Sequence, residues 1–139
     1  MTSDEPQSVE DAGRDAIVRF IRALHPEVTT DGQTASAVFD PHPEHRGAPE
    51  WVHGGYLATV LDHFLARLAS AALDSKVATG TLDLRYRQPV LLHGGPYDVR
   101  GTAKQPGHRT VKVHGQILGA DGQVFTEAHG LFVAVQRPS

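Results

Sequence analysis

One carboxylate in this chain sits where it could take part in chemistry. In the stretch VHGGYLATVLDHF, Asp62 lies inside an apolar run, nine residues after the His53 of a His-Gly-Gly triplet. Gly54 and Gly55 lead into residues 58–73, a segment without glycine or proline whose alanines and leucines favour helix. The first turn of a helix leaves backbone N–H groups without intrahelical partners and concentrates positive potential there. Glycines let a ligand come close to that backbone. Such a terminus can hold an anion or a polarised carbonyl oxygen, as an oxyanion hole does, while a nearby carboxylate can act as a base. Both features also have ordinary explanations. Glycine precedes many helices. Leu57, Val60, Leu61, Phe64, Leu65 and Leu68 form one apolar stripe, and Thr59, Asp62, His63, Arg67 and Ser70 form a polar one, where an aspartate is expected.

The triplet recurs as His93-Gly94-Gly95, but there Pro96 follows. Proline cannot sit in a central strand, so this copy reads as a loop between strands with His93 facing solvent. Nine histidines invite a metal hypothesis. The pair His42 and His45 falls in a proline-rich loop and no HExxH helix is present, so no metal or other cofactor is expected.

The elements that must position Asp62 follow from local pattern. Residues 1–10 read as a solvated tail, and 11–139 as a single domain. Ala16, Ile17, Phe20, Ile21 and Leu24 recur at helical spacing until Pro26. Asp31-Gly32 is a hairpin signal, after which Ala35, Ala37 and Phe39 alternate with Ser36 and Val38. Residues 41–51 hold three prolines and a glycine and read as loop. Beyond the long helix the chain alternates as four strands, with turns at Pro106-Gly107 and Asp121-Gly122; they are expected to form an antiparallel meander. The fold class is α+β: an antiparallel sheet wrapped around one long central helix.

Charge and composition narrow the partners. A net charge of −3 and a pI near 6.3 give no reason to expect nucleic acid or an anionic membrane. No apolar stretch is long enough to span a bilayer. An acidic start, MTSDEPQSVEDAGRD, is the opposite of a signal peptide, and with no cysteine there is no disulfide framework or thiolate nucleophile. A cytoplasmic location is expected.

Over about residues 35–135, the chain resembles the hot-dog fold acyl-CoA thioesterases of the phenylacetate-pathway (PaaI-like) type. The resemblance rests on HGGYLATVLD, with its acid nine residues after the histidine, and on TGTLDLRYRQPV, a strand ending in an aromatic and then a proline. It implies that the Gly54 N–H polarises a thioester carbonyl, while Asp62 acts as general base on water or attacks the carbonyl itself. Thr79, ten residues before Pro89, takes the place of a hydroxyl that orients the water or the acid, and His53 belongs to the same catalytic motif. Many relatives carry Asn or Gln seven residues before the first glycine; here that position is Gly47, with His45, Arg46 and Glu50 nearby to compensate. Gly55, Tyr56 and His63 are expected to contact the acyl-CoA; Tyr56, Leu57 and Phe64 are candidates for the acyl pocket, although Leu57 and Phe64 fit a core role better. Arg87 and Arg109 are the expected phosphate contacts, and Arg85, Lys104 and His108 are further candidates. A hot-dog hydratase and a non-catalytic acyl-CoA binding protein are the alternatives.

Geometry adds one expectation. Gly54 and Asp62 are eight residues apart on one helix, hence about 12 Å along its axis. A base must come within about 3 Å of the water that attacks the carbonyl held by the amide. One helix cannot easily do both, whereas two antiparallel copies side by side can. A homodimer with shared sites is therefore expected, with a dimer of dimers as the larger alternative.

Overall fold

The expected long helix, α1, spans Gly54–Leu73. In this computed structural model, residues 8, 26–42 and 50–135 of the 139 are described. The expected tail, the expected helix over 12–24, and positions His45, Arg46 and Gly47 lie outside the described residues. The helix buries Leu57, Val60, Leu61, Phe64, Leu65, Leu68 and Ala69, the apolar stripe read from the sequence plus one alanine. Its C-cap, Asp74, takes the left-handed conformation, and the amide of that residue bonds back to the Ser70 carbonyl. No described helix is long and apolar enough to cross a membrane.

Among the described residues six strands form one antiparallel sheet: β1 (Thr29–Thr30), β2 (Thr34–Phe39), β3 (Val77–Tyr86), β4 (Tyr97–Ala103), β5 (Thr110–Leu118) and β6 (Val124–Ala134). Their spatial order is β1-β2-β4-β5-β6-β3. The β1–β2 hairpin turns at Gly32, whose φ of 87° suits glycine, and Asp31 Oδ1 accepts the Gln33 and Thr34 amides, both at 2.8 Å. Those two bonds hold the Asp31 carboxyl below its usual range.

The four-strand meander expected after the helix is corrected. Only β4, β5 and β6 meander, because β3 pairs with β6 and β2 pairs with β4. Alternation marks a segment as strand but does not name its neighbour. Tight turns lie between β4 and β5 and between β5 and β6, whereas β3 and β4 are joined by residues 87–96, which hold two prolines and two glycines. That connection runs beneath the start of α1, where the Val52 amide bonds to the Val90 carbonyl and the Leu92 amide to the Glu50 carbonyl, each at 2.8 Å. Val90 and Leu92 are buried there, which anchors the crossing.

Helix and sheet meet over a row of small residues. Ala35, Gly101, Gly115 and Ala128 are register partners across β2, β4, β5 and β6. A Cβ on Gly101 would lie 3.2 Å from Leu68 Cδ2, and one on Gly115 only 2.9 Å from Leu65 Cδ2. The row therefore lets the helix settle deep in the sheet. Expected outcomes follow for denaturant unfolding. Leu65→Ala lowers stability by about 2–5 kcal/mol through the cavity it leaves, and Gly115→Val by about 1–3 kcal/mol through overpacking. The double variant loses less than the sum, since the two changes share one space.

Candidate functional site at the start of the central helix

His53 is the N-cap of α1, in extended conformation with φ −63° and ψ 134°. Its Nδ1 accepts the Gly55 amide at 2.9 Å, and its carbonyl accepts the amides of Tyr56 and Leu57 at 3.0 and 3.2 Å. The Gly54 amide, by contrast, has no hydrogen-bond partner among the described residues. It is the one open donor of the turn. A Cβ on Gly55 would fall 3.1 Å from His53 Nδ1, so glycine makes room for the capping imidazole. The Tyr56 ring tilts against that of His53, with centroids 5.4 Å apart.

Two turns further on, Asp62 is half-buried on the side of α1 that faces β3. Thr79 Oγ1 donates to Asp62 Oδ1 at 2.7 Å. The other carboxylate oxygen has no partner among the described residues. The same strand holds the helix start, for Tyr86 donates its hydroxyl proton to the Gly54 carbonyl at 2.8 Å. His63 follows Asp62 and is also half-buried.

A groove of about 320 Å³ opens beside Gly54, lined by Trp51, Leu57, Tyr86, Arg87 and Pro89 among others. Trp51 and Tyr86 are 47% and 52% exposed, so two large rings stand at its mouth. Phe64 lies wholly in the core. Arg87 is paired with Glu127, and that hydrogen bond, aided by the guanidinium charge, holds the Glu127 carboxyl below its usual range. A depressed carboxyl favours the fold above its ordinary range and loses that contribution on acidification through it, so the pair is intact at neutral pH. Arg109 lies elsewhere. Its carbonyl accepts the Ala134 amide, and Ala134 faces Val77 at the start of β3, about 30 Å of strand from Tyr86. Lys104 and His108 belong to the same β4–β5 end, and Arg85 is exposed on β3. A separate groove of about 450 Å³ on the outer face of the sheet, among Lys104, Lys112, His114 and His129, does not reach Gly54 or Asp62. Among the described residues no group of three or more His, Asp or Glu side chains is placed to hold a metal ion.

The structure thus brings Thr79 to Asp62, and His53, Gly55 and Arg87 to the region of Gly54, while Gly54 and Asp62 stay two turns apart. Sequence reasoning passed over Tyr86 and Trp51 as site residues. For Tyr86 a signal existed: an aromatic at the end of a strand, three residues before Pro89. No sequence signal links Arg87 to Glu127.

No protein-family model matches the sequence, and comparison with curated proteins finds no relative. Solved structures are similar across most of the chain. A thioesterase superfamily protein from Shewanella loihica superposes with a TM-score of 0.68 at 25% identity, covering 80% of this chain and 91% of its own. The chain has the hot-dog fold of the thioesterase superfamily. A thioesterase from Haemophilus influenzae gives a TM-score of 0.73 at 14% identity, over 98% of this chain and 96% of its own. A hypothetical thioesterase from Streptococcus pneumoniae, solved with coenzyme A, gives 0.73 at 17% identity, over 95% and 100%. In this hot-dog domain the helix start is capped by an imidazole, which makes a local prediction. His53→Ala should cost about 0.5–2 kcal/mol of stability in urea unfolding, and His53→Asn, whose side-chain oxygen can take the Gly55 amide, should recover most of it.

Proposed function

We propose that this protein hydrolyses an acyl-CoA thioester to the free acid and CoA, as a PaaI-like thioesterase. The observation that carries the proposal is the hydrogen bond from Thr79 to Asp62, which orients one carboxylate oxygen and leaves the other open on a helix whose first amide is also open. The Gly54 N–H takes the thioester oxygen and stabilises the charge that develops on it. Asp62, held by Thr79, removes a proton from water as the water attacks the carbonyl carbon. Collapse of the tetrahedral intermediate breaks the C–S bond, and the proton returns from Asp62 to the departing CoA sulfur. The groove between Trp51 and Tyr86 receives substrate beside Gly54, with Arg87 at its edge. That the Streptococcus pneumoniae structure holds coenzyme A supports CoA as the carrier.

The two groups converge across a homodimer. Among the described residues, strand β3 is an edge strand of ten residues with a neighbour on one side only, and it carries both Thr79 and Tyr86. Unpaired strand edges invite another strand. A second copy added there in antiparallel sense lays two α1 helices side by side, with Gly54 of one near Asp62 of the other. Pairs of dimers are compatible with this arrangement, as is a cytoplasmic setting without nucleic acid or membrane partners.

Release of free CoA from a panel of acyl-CoAs tests the chemistry. Asp62→Asn should lower kcat about 10²–10⁴-fold, the range for loss of a general base; unchanged turnover removes Asp62 from the mechanism. Sharing is tested with Gly54→Pro, which removes the amide donor at a backbone proline suits, the first helical position after an extended His53, while its ring packs beside Tyr86, which a Cβ would meet at 3.4 Å. Each variant alone should be nearly inactive, whereas mixed Asp62→Ala and Gly54→Pro dimers should regain one intact site of two. No recovery in verified heterodimers counts against a composite site.

A further inference from the structure

Thr79 and Tyr86 both reach α1 from one strand, yet they are seven residues apart. In a regular strand, side chains alternate between faces, so residues an odd number apart point in opposite directions. Gly80 resolves the conflict. Thr79 pairs with Phe132 and Thr81 with the very next residue of β6, Leu131, so Gly80 is an inserted residue without a partner. Before the insertion Val77 and Thr79 face the same way as Ala134 and Phe132; after it Leu82, Leu84 and Tyr86 share a face with Gly130, Ala128 and Thr126. A Cβ at Gly80 would come to 3.0 Å from the Leu131 carbonyl oxygen, a backbone atom, which explains the glycine. One inserted residue thus gives a single strand two contacts with the helix, at Asp62 and at Gly54.

The contact at Gly54 grips one peptide unit from both sides. The oxygen of the Gly54–Gly55 peptide accepts the Tyr86 hydroxyl at 2.8 Å, and its N–H donates to His53 Nδ1 at 2.9 Å. Because the unit is planar, fixing its two ends fixes its orientation. The open Gly54 N–H belongs to the preceding unit, whose oxygen, the His53 carbonyl, accepts the Tyr56 and Leu57 amides; the two units are joined through the two dihedrals of a glycine, the most permissive of residues. We propose that Tyr86 is a positioning residue: by holding the Gly54 carbonyl, it keeps the glycine from turning between its two peptides and so steadies the Gly54 N–H, already anchored through the His53 carbonyl, toward the carbonyl oxygen of the substrate, a role that rests on the thioester hydrolysis proposed above. A phenol is protonated at neutral pH, and partial burial moves the Tyr86 hydroxyl further in that direction, so it stays a donor. The ring, about half exposed, adds little to the core, which separates this role from one in folding.

Tyr86→Phe keeps the ring and removes only the hydroxyl. In an active enzyme, kcat should fall about 10-fold with KM within two-fold, because the interaction serves the transition state rather than ground-state binding. The unfolding midpoint should stay close to that of the wild type. Hydrogen exchange of the Gly55 amide, followed by NMR, should speed up several-fold as the peptide loosens. If Tyr86 only lines the groove, KM rises to a degree that depends on the acyl group while the Gly55 amide stays protected, and the positioning role is overturned. Unchanged kcat in a fully folded variant overturns it as well. A wild-type protein that releases CoA from no acyl-CoA defeats the thioesterase proposal itself, a result distinct from either.

Discussion

The close seating of α1 on the row Ala35, Gly101, Gly115 and Ala128 is the constraint on which the rest depends. A helix resting on small residues cannot slide or roll far without driving Leu65 or Leu68 into backbone. Its depth and rotation are therefore set by packing, before any polar contact forms. Only with that pose fixed can a threonine and a tyrosine on one strand meet an aspartate and a carbonyl two turns apart. The polar contacts then refine an arrangement that dispersion and apolar burial impose.

Much of this fold is legible in local pattern. The Asp31-Gly32 and Asp121-Gly122 turns, the apolar stripe from Leu57 to Leu68 and the loop character of the second His-Gly-Gly each follow from backbone preference or periodicity within a few residues. Non-local features are the ones that escaped. Residues 77–86 declare themselves a strand, but their pairing with β6 depends on a ten-residue crossing anchored by Val90 and Leu92 under the helix. The same limit hides part of the site. Asp62 and Thr79 could be named from a motif, whereas the bond between Tyr86 and Gly54 spans 32 positions and depends on an inserted residue that changes the facing of a strand. Arg87 and Glu127 meet across 40 positions, with no periodicity to connect them.

The separation of Gly54 from Asp62 has a simple physical origin. An amide donor is available only in the first turn of a helix, since later amides are bonded within it. A carboxylate in that first turn would itself take the open amide or cancel its potential. Placing the acid two turns away avoids this competition within a chain, and under the proposed composite site a second helix would bring the two groups together.

The choice of cap at α1 has a wider consequence. The first turn carries no acidic residue and the last no basic one, so neither end of the helix dipole is neutralised by its own side chains. Aspartate or serine would be the common choice to finish such a turn, and a carboxylate would hold it more firmly. An imidazole accepting at Nδ1 satisfies one amide without bringing a formal negative charge. The turn keeps an attraction for electron-rich groups that a stronger fastening would have quenched, at the cost of a little helix stability.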